Sequence, residues 1–147
     1  MAITRFAEAS WSGDLVSGSG SINYVSSGAF TRLPVTWASR TEAHDGRTSP
    51  EELIASAHAA CFSMAFSSRL AKNGTPAATL TVRAVVTFDK GEAGWGITRS
   101  DLMVRGRVDG IDAVRFAELA EDAKENCPVS QALKGNVELA VDAALEA

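Results

Sequence analysis

The stretch SPEELIASAHAACFSMAFS, Ser49 to Ser67, decides how the chain folds. Ser49 is a good N-cap, Pro50 suits the first helical turn, and Glu52 completes an S-x-x-E capping box, so a helix starts at Ser49. It is predicted to run to about Asn73, where Gly74 and Pro76 stop it. From Leu53 to Ser68 there is no Asp, Glu, Lys or Arg, and no side of the helix shows a water-facing stripe. Such a helix is expected to be enclosed nearly all round. A membrane span is the rival reading, but the run falls short of the ~20 apolar residues a span needs and carries Ser56, His58, Ser63, Ser67 and Ser68. Burial inside protein is favoured.

The flanks of the helix supply what it must pack against. Upstream, ITRFAEASW (3–11), GSGSINYV (18–25) and GAFTRLPVTW (28–37) alternate in polarity between Gly/Ser clusters, as antiparallel strands joined by tight turns do. Downstream, TLTVRAVVTFDK (79–90) and GWGITRSDLMVRGRV (94–108) form a predicted hairpin around the glycine-rich KGEAGWG. Asp112 is positioned to N-cap a second helix whose apolar residues Phe116, Leu119, Ala120 and Ala123 follow helical spacing. CPVSQALK (127–134) then starts a short helix with Cys127 at its N-terminus, and NVELAVDAAL (136–145) closes as a strand with Val137, Leu139 and Val141 on one face. Strands grouped before and after helices indicate an α+β fold.

A chain of 147 residues is most simply one domain, 1–147. Its 46% hydrophobic and 22% charged residues are those of an ordinary globular protein. A formal net charge of −4 argues against nucleic acid as a partner, since phosphate binding needs a basic surface, and the cluster RSDLMVRGRVD is read as the solvated face of a strand. MAITRFAEASWSGD has no basic region followed by an apolar block, so the mature protein is expected to begin there, in the cytoplasm. In that reducing compartment two cysteines are buried thiols, metal ligands or a transient redox pair.

A thiol attacks as the thiolate, and apolar burial raises its pKa, so a reactive Cys61 needs a nearby positive charge. Three turns into its helix, it receives little from the helix dipole. His58 lies one turn before it, and arginine is better suited, notably Arg40 in the loop before the helix, with Glu51 as a holder of that arginine. Against this stands the inert alternative: a lone cysteine among alanines is commonly a small core hydrophobe, and a lone buried histidine a satisfied core residue. Cys127 gains thiolate character from its helix terminus. A zinc site of Cys61, Cys127, His44 and His58 would use every Cys and His, yet no C-x-x-C or H-x-x-x-H pairing occurs. Met64, Phe62 and Phe66 are core, with a second role as pocket wall left open.

SPEELIASAHAACFSMAFS and CPVSQALK, together with ASWSGDLVSGSGSI and DGID, resemble the OsmC/Ohr family of thiol-dependent peroxidases over essentially the whole chain, and HAACFSM favours the osmotically inducible protein C branch. The resemblance implies antiparallel sheets around a long buried central helix in an intertwined homodimer. It implies that Cys61 is the peroxidatic cysteine, Cys127 the resolving one, and Arg40 and Glu51 the pair that tunes Cys61, with Arg47 a rival to Arg40. It implies a hydroperoxide substrate, organic more than hydrogen peroxide, a Cys61–Cys127 disulfide reduced by a dihydrolipoyl-type dithiol, and neither metal nor organic cofactor. The alternative is a dimeric protein that binds a small hydrophobic ligand with its thiols unreactive. Glu51 and Cys61 are ten residues apart, about 15 Å along a straight helix at ~1.5 Å per residue. Glu51 therefore serves Cys61 only through a long arginine or from a partner chain.

Overall fold

The computed structural model describes residues 1–147, which fall into two compact units, Met1–Leu53 and Ile54–Ala147. The first holds an antiparallel meander of β1 (Ala7–Ser12), β2 (Ser19–Val25) and β3 (Thr31–Val35). Trp11 pairs with Gly20, and Gly20 in turn with Val35. The Gly-Ser run at 17–21 is a turn only at its start: the turn covers 15–17, and Ser19, Gly20 and Ser21 already belong to β2. The Asp14 carboxylate accepts the amides of Val16 and Ser17, both at 2.9 Å, and a Cβ on Gly18 would lie 2.2 Å from the Asp14 carbonyl oxygen.

After β3 comes a one-turn helix that strand alternation did not predict. α1 (Trp37–Thr41) is N-capped by Thr36: its hydroxyl accepts the Ser39 amide at 3.0 Å while the Ser39 hydroxyl accepts the Thr36 amide at 3.1 Å. Arg40 thus sits in the last turn of a helix and not in a loop. The Ser39 hydroxyl also donates to the Thr48 carbonyl at 2.9 Å, which fixes α1 against the segment leading to the long helix.

That helix, α2 (Pro50–Lys72), starts as predicted, with the Ser49 hydroxyl accepting the Glu52 amide at 3.1 Å. The Glu52 carboxylate accepts the Thr48 hydroxyl at 2.9 Å. At the other end Gly74, at φ 83°, lets the chain turn so that the Thr75 amide reaches the Leu70 carbonyl at 3.0 Å. No helix is long and apolar enough to cross a membrane.

The second unit is built on a long hairpin, β4 (Thr79–Gly91) with β5 (Gly94–Arg107), antiparallel from Thr79↔Arg107 to Gly91↔Gly94. β5 alternates cleanly: Ser100, Leu102, Val104 and Gly106 face inward, while Arg99 and Arg105 face out and pair with Asp101, Glu138 and Asp142. The basic cluster is therefore a solvated strand face. α3 (Ala113–Asn126) is capped by the Asp112 carboxylate, 2.8 Å from the Arg115 amide, and buries the four predicted residues Phe116, Leu119, Ala120 and Ala123. α3 and α4 (Pro128–Leu133) carry the chain across the sheet, so β6 (Glu138–Leu145) pairs with β5 in parallel, the one pairing that is not antiparallel.

The core of this unit is a stripe of α2 at four-residue spacing. His58, Phe62, Phe66 and Leu70 are all fully buried, the last three against Leu102, Val104 and the inner face of α3. Phe66 and Phe116 rings lie 4.9 Å apart, and a Cβ on Gly106 would fall 2.9 Å from the Phe116 ring, so glycine there admits the aromatic packing. The opposite face, Ala57, Ala60, Met64, Ser67, Ser68 and Ala71, is exposed. Enclosure on every side, expected from the missing charges, is not achieved within one chain.

Candidate active site

The two cysteines, in different helices and distant in sequence, meet in the second unit. Cys61 is half-buried on the flank of the α2 stripe and Cys127 is fully buried, both as free thiols. Cys127 ends α3 and begins α4: its amide donates to the Ala123 carbonyl at 2.8 Å, and Pro128 opens the next helix. The Cys127 side chain caps nothing. The amide that the α4 terminus leaves free, that of Val129, instead acts on Cys61, which also has the Cys127 sulfur as a neighbour. Burial pushes the Cys61 pKa up; the Val129 N–H pulls it back down, and the neighbouring Cys127 sulfur pushes it up again. The sequence placed helix-terminal assistance at Cys127, whereas the fold delivers it to Cys61. Only the tertiary contact between α2 and α4 carries that information.

His58 is not a charge donor for Cys61. It is fully buried, with Nδ1 2.7 Å from the Ser100 hydroxyl and Nε2 2.9 Å from the Ser130 hydroxyl, and burial lowers its pKa so that it stays neutral. Ser100 and Ser130 were not singled out from the sequence. Their only local signal is that each is a serine at an inward position, of β5 and α4 respectively. Phe62 and Phe66 belong wholly to the core, and Met64, 69% exposed, lies on the open face of α2. No phenyl ring of the helix is left to wall a pocket.

The first unit holds the charged pair. Arg40 reaches Glu51 through two hydrogen bonds, Nε to Oε2 at 3.2 Å and Nη2 to Oε1 at 2.6 Å, in the planar fork arrangement that favours arginine over lysine. The guanidinium also stacks 5.6 Å above the Trp37 ring. Arg47, the rival, pairs with Asp45 at 3.0 Å in an exposed loop. Arg40 further lines a cavity of about 320 Å³ whose other walls are largely apolar: Trp11, Leu15, Val35, Trp37 and Pro50.

Residues 43–142 match the protein-family model described as OsmC-like protein. The chain belongs to the OsmC-like family. It is 41% identical over 139 residues to peroxiredoxin OsmC of Escherichia coli, covering 95% of this chain and 96% of that one. To the organic hydroperoxide resistance protein OhrA of Bacillus subtilis it is 33% identical over 98 residues, 66% of this chain and 67% of that one. Among solved structures, the organic hydroperoxide resistance protein OhrB of Bacillus subtilis superposes with a TM-score of 0.73 at 24% identity, covering 95% of this chain and 98% of that one. One from Elizabethkingia anophelis, with thiocyanate bound, gives 0.75 at 24% identity over 99% and 100%. Both share the fold of this OsmC-like chain.

Proposed function

We propose that this OsmC-like protein is a thiol-dependent peroxidase of stress defence that reduces organic hydroperoxides through Cys61 and Cys127. The observation that carries the reading is that the two cysteines, distant in sequence, are neighbours at the start of α4, with the Val129 amide favouring the Cys61 thiolate, in a chain whose relatives are named peroxiredoxin and organic hydroperoxide resistance protein. The Cys61 thiolate attacks the terminal peroxide oxygen, the O–O bond breaks, and the alkoxide leaves as the alcohol after taking up a proton. Cys61 is then a sulfenic acid, and Cys127 displaces its oxygen as water to give the Cys61–Cys127 disulfide. A dihydrolipoyl-type dithiol returns both cysteines to thiols by exchange.

Burial makes the Cys61 thiolate costly, so the cycle needs a cation, a role we assign to Arg40, which Glu51 holds in a bidentate grip. There it stabilises both the thiolate and the charge developing on the leaving oxygen. Its apolar cavity suits a hydrocarbon substituent, each buried CH₂ adding up to ~0.8 kcal/mol, which favours organic hydroperoxides over hydrogen peroxide. The uncharged open face of α2, beside a concavity of about 550 Å³ lined by Met64, Ala71, Ala77 and Leu80, suits a second copy of the chain.

Titrating the reduced protein with one equivalent of an alkyl hydroperoxide should remove both free thiols together, and peptide mapping without reductant should find an intrachain Cys61–Cys127 link. Thiols that persist would leave a ligand-binding protein, and links only between chains through Cys61 would end the resolving role of Cys127. Turnover with a dihydrolipoyl thiol should be faster with bulky hydroperoxides than with hydrogen peroxide, and the solution mass should be that of a dimer.

A further inference from the structure

His58 takes no part in the reaction above, yet it is the most completely enclosed titratable side chain around the cysteines. We propose that His58 is a positioning residue that latches α4 to α2 and so holds Cys127 in register to attack the oxidised Cys61. The inference rests on the two-cysteine reading for its functional consequence.

His58 and Cys61 are three residues apart on α2 and so share one side of it, while Cys127 is the N-cap residue of α4 and Ser130 its third residue, the positions whose side chains meet at a helix start. Two rungs then join the helices. One is the juxtaposition of Cys61 and Cys127, and the other is His58 Nε2 to the Ser130 hydroxyl at 2.9 Å. The second rung is fixed from behind, because Nδ1 is held at 2.7 Å by Ser100 on β5.

α4 needs such a fixing. It has six residues, too few to be stable by its own hydrogen bonds, and Ser130 is its one buried residue. The chemistry of the latch is complete while the imidazole is neutral. One ring nitrogen donates to a serine oxygen and the other accepts a serine O–H, and each hydroxyl rotates to take whichever role the tautomer leaves it. All three side chains are at most 1% exposed, so no water competes for these bonds, and removing one partner strands a buried polar group.

The step at stake is resolution. The Cys127 sulfur bonds to the Cys61 sulfur, the S–O bond of the sulfenic acid breaks, and the oxygen leaves as water with the proton Cys127 gives up. That step depends on where α4 holds Cys127. Attack of Cys61 on the peroxide feels α4 only through the Val129 amide, and so depends on it less.

The test compares wild type with Ser130→Ala, which removes one hydroxyl, with His58→Leu, and with His58→Gln, which restores a donor and an acceptor. Single-turnover peroxide loss should slow less than disulfide formation in all of them. Disulfide formation, followed by acid quench and mass spectrometry, should slow about tenfold in Ser130→Ala and His58→Leu, the ratio for one lost buried hydrogen bond. Cys61 sulfinic acid should accumulate, and His58→Gln should recover most of the rate. Core damage alone would lower stability without separating the two steps or being rescued by glutamine.

Diamide, which closes a dithiol without peroxide chemistry, should show the same slowing. If diamide shows it and hydroperoxide leaves every thiol intact, the latch stands and the peroxidase reading falls. Disulfide formation at or above the wild-type rate in Ser130→Ala, with either oxidant, overturns the latch. So does a His58→Leu defect that glutamine does not relieve.

Discussion

Arg40 and Glu51 keep their charges where water still reaches, with side chains 26% and 9% exposed, while His58, Ser100 and Ser130 are sealed in the core without a single formal charge. Both arrangements fix a side chain by two hydrogen bonds, but for different ends. The bidentate ion pair orients a permanent cation whose field extends beyond its contacts, and partial exposure limits the desolvation cost of holding it. The neutral triad has no field to speak of and acts only through contact, which suits the holding of a short helix. If the proposed roles hold, the contrast teaches that electrostatic activation and positional control of the two sulfurs fall to differently built sites.

The largest effect should come from neither arrangement but from the packing that the triad belongs to. Phe66→Ala removes a fully buried ring whose centroid lies 4.9 Å from that of Phe116, and about 3–5 kcal/mol of stability should go with it. Urea melts with unchanged slope would measure this. A loss near zero would mean that the α2 stripe is loosely packed, and the rigid support invoked for His58 would go with it.

Arg40→Ala should separate the two arrangements most sharply. Stability should change little, because a partly exposed pair contributes only ~0–1 kcal/mol. Peroxidase kcat/KM should fall by about 10²–10³, the usual cost of removing one charge-stabilising donor. Alkylation of Cys61 against pH should show its midpoint move up, since the cation assigned to favour the thiolate is lost while burial still disfavours it. Arg40→Lys should recover part of the rate, since an ammonium cannot grip Glu51 in a fork. An unchanged alkylation profile would take the cation's role away from Arg40.

How much of this the sequence carried depends on whether the cause was local. The α2 start at Ser49, the Asp112 cap, the α3 core residues and the β4–β5 hairpin follow from capping and alternation within a few residues, and all are present. α1 escaped because Thr36 and Ser39 form a reciprocal cap without the usual Glu or Gln, directly after a strand. The parallel β5–β6 pairing, the Val129 amide on Cys61 and the serines on His58 bring together residues tens of positions apart, and no local pattern encodes them. The absence of charge on α2 was legible, but not that its open face would lie outside the chain's own core.

The smallest effect tests the neutrality of the triad directly. Burial lowers the His58 pKa in the folded protein below the ordinary imidazole value of 6.5, and its two partners are hydroxyls that give no compensating charge. Between those two values the unfolded chain binds a proton that the folded chain refuses. Stability from this group is therefore full above pH 6.5 and declines as pH falls below it, with a slope of at most one proton, ~1.4 kcal/mol per pH unit. His58→Gln is less stable at pH 7.5 but lacks this titration, so the gap between wild type and variant should narrow from pH 7.5 towards pH 5 in urea melts. The rate of disulfide closure should decline over the same acidic range in wild type more than in the glutamine variant, because a protonated imidazole has no lone pair to accept the serine O–H. A gap that widens on acidification would mean that His58 is charged in the folded protein, and the division between a charged rim and a neutral core would fail at its central residue.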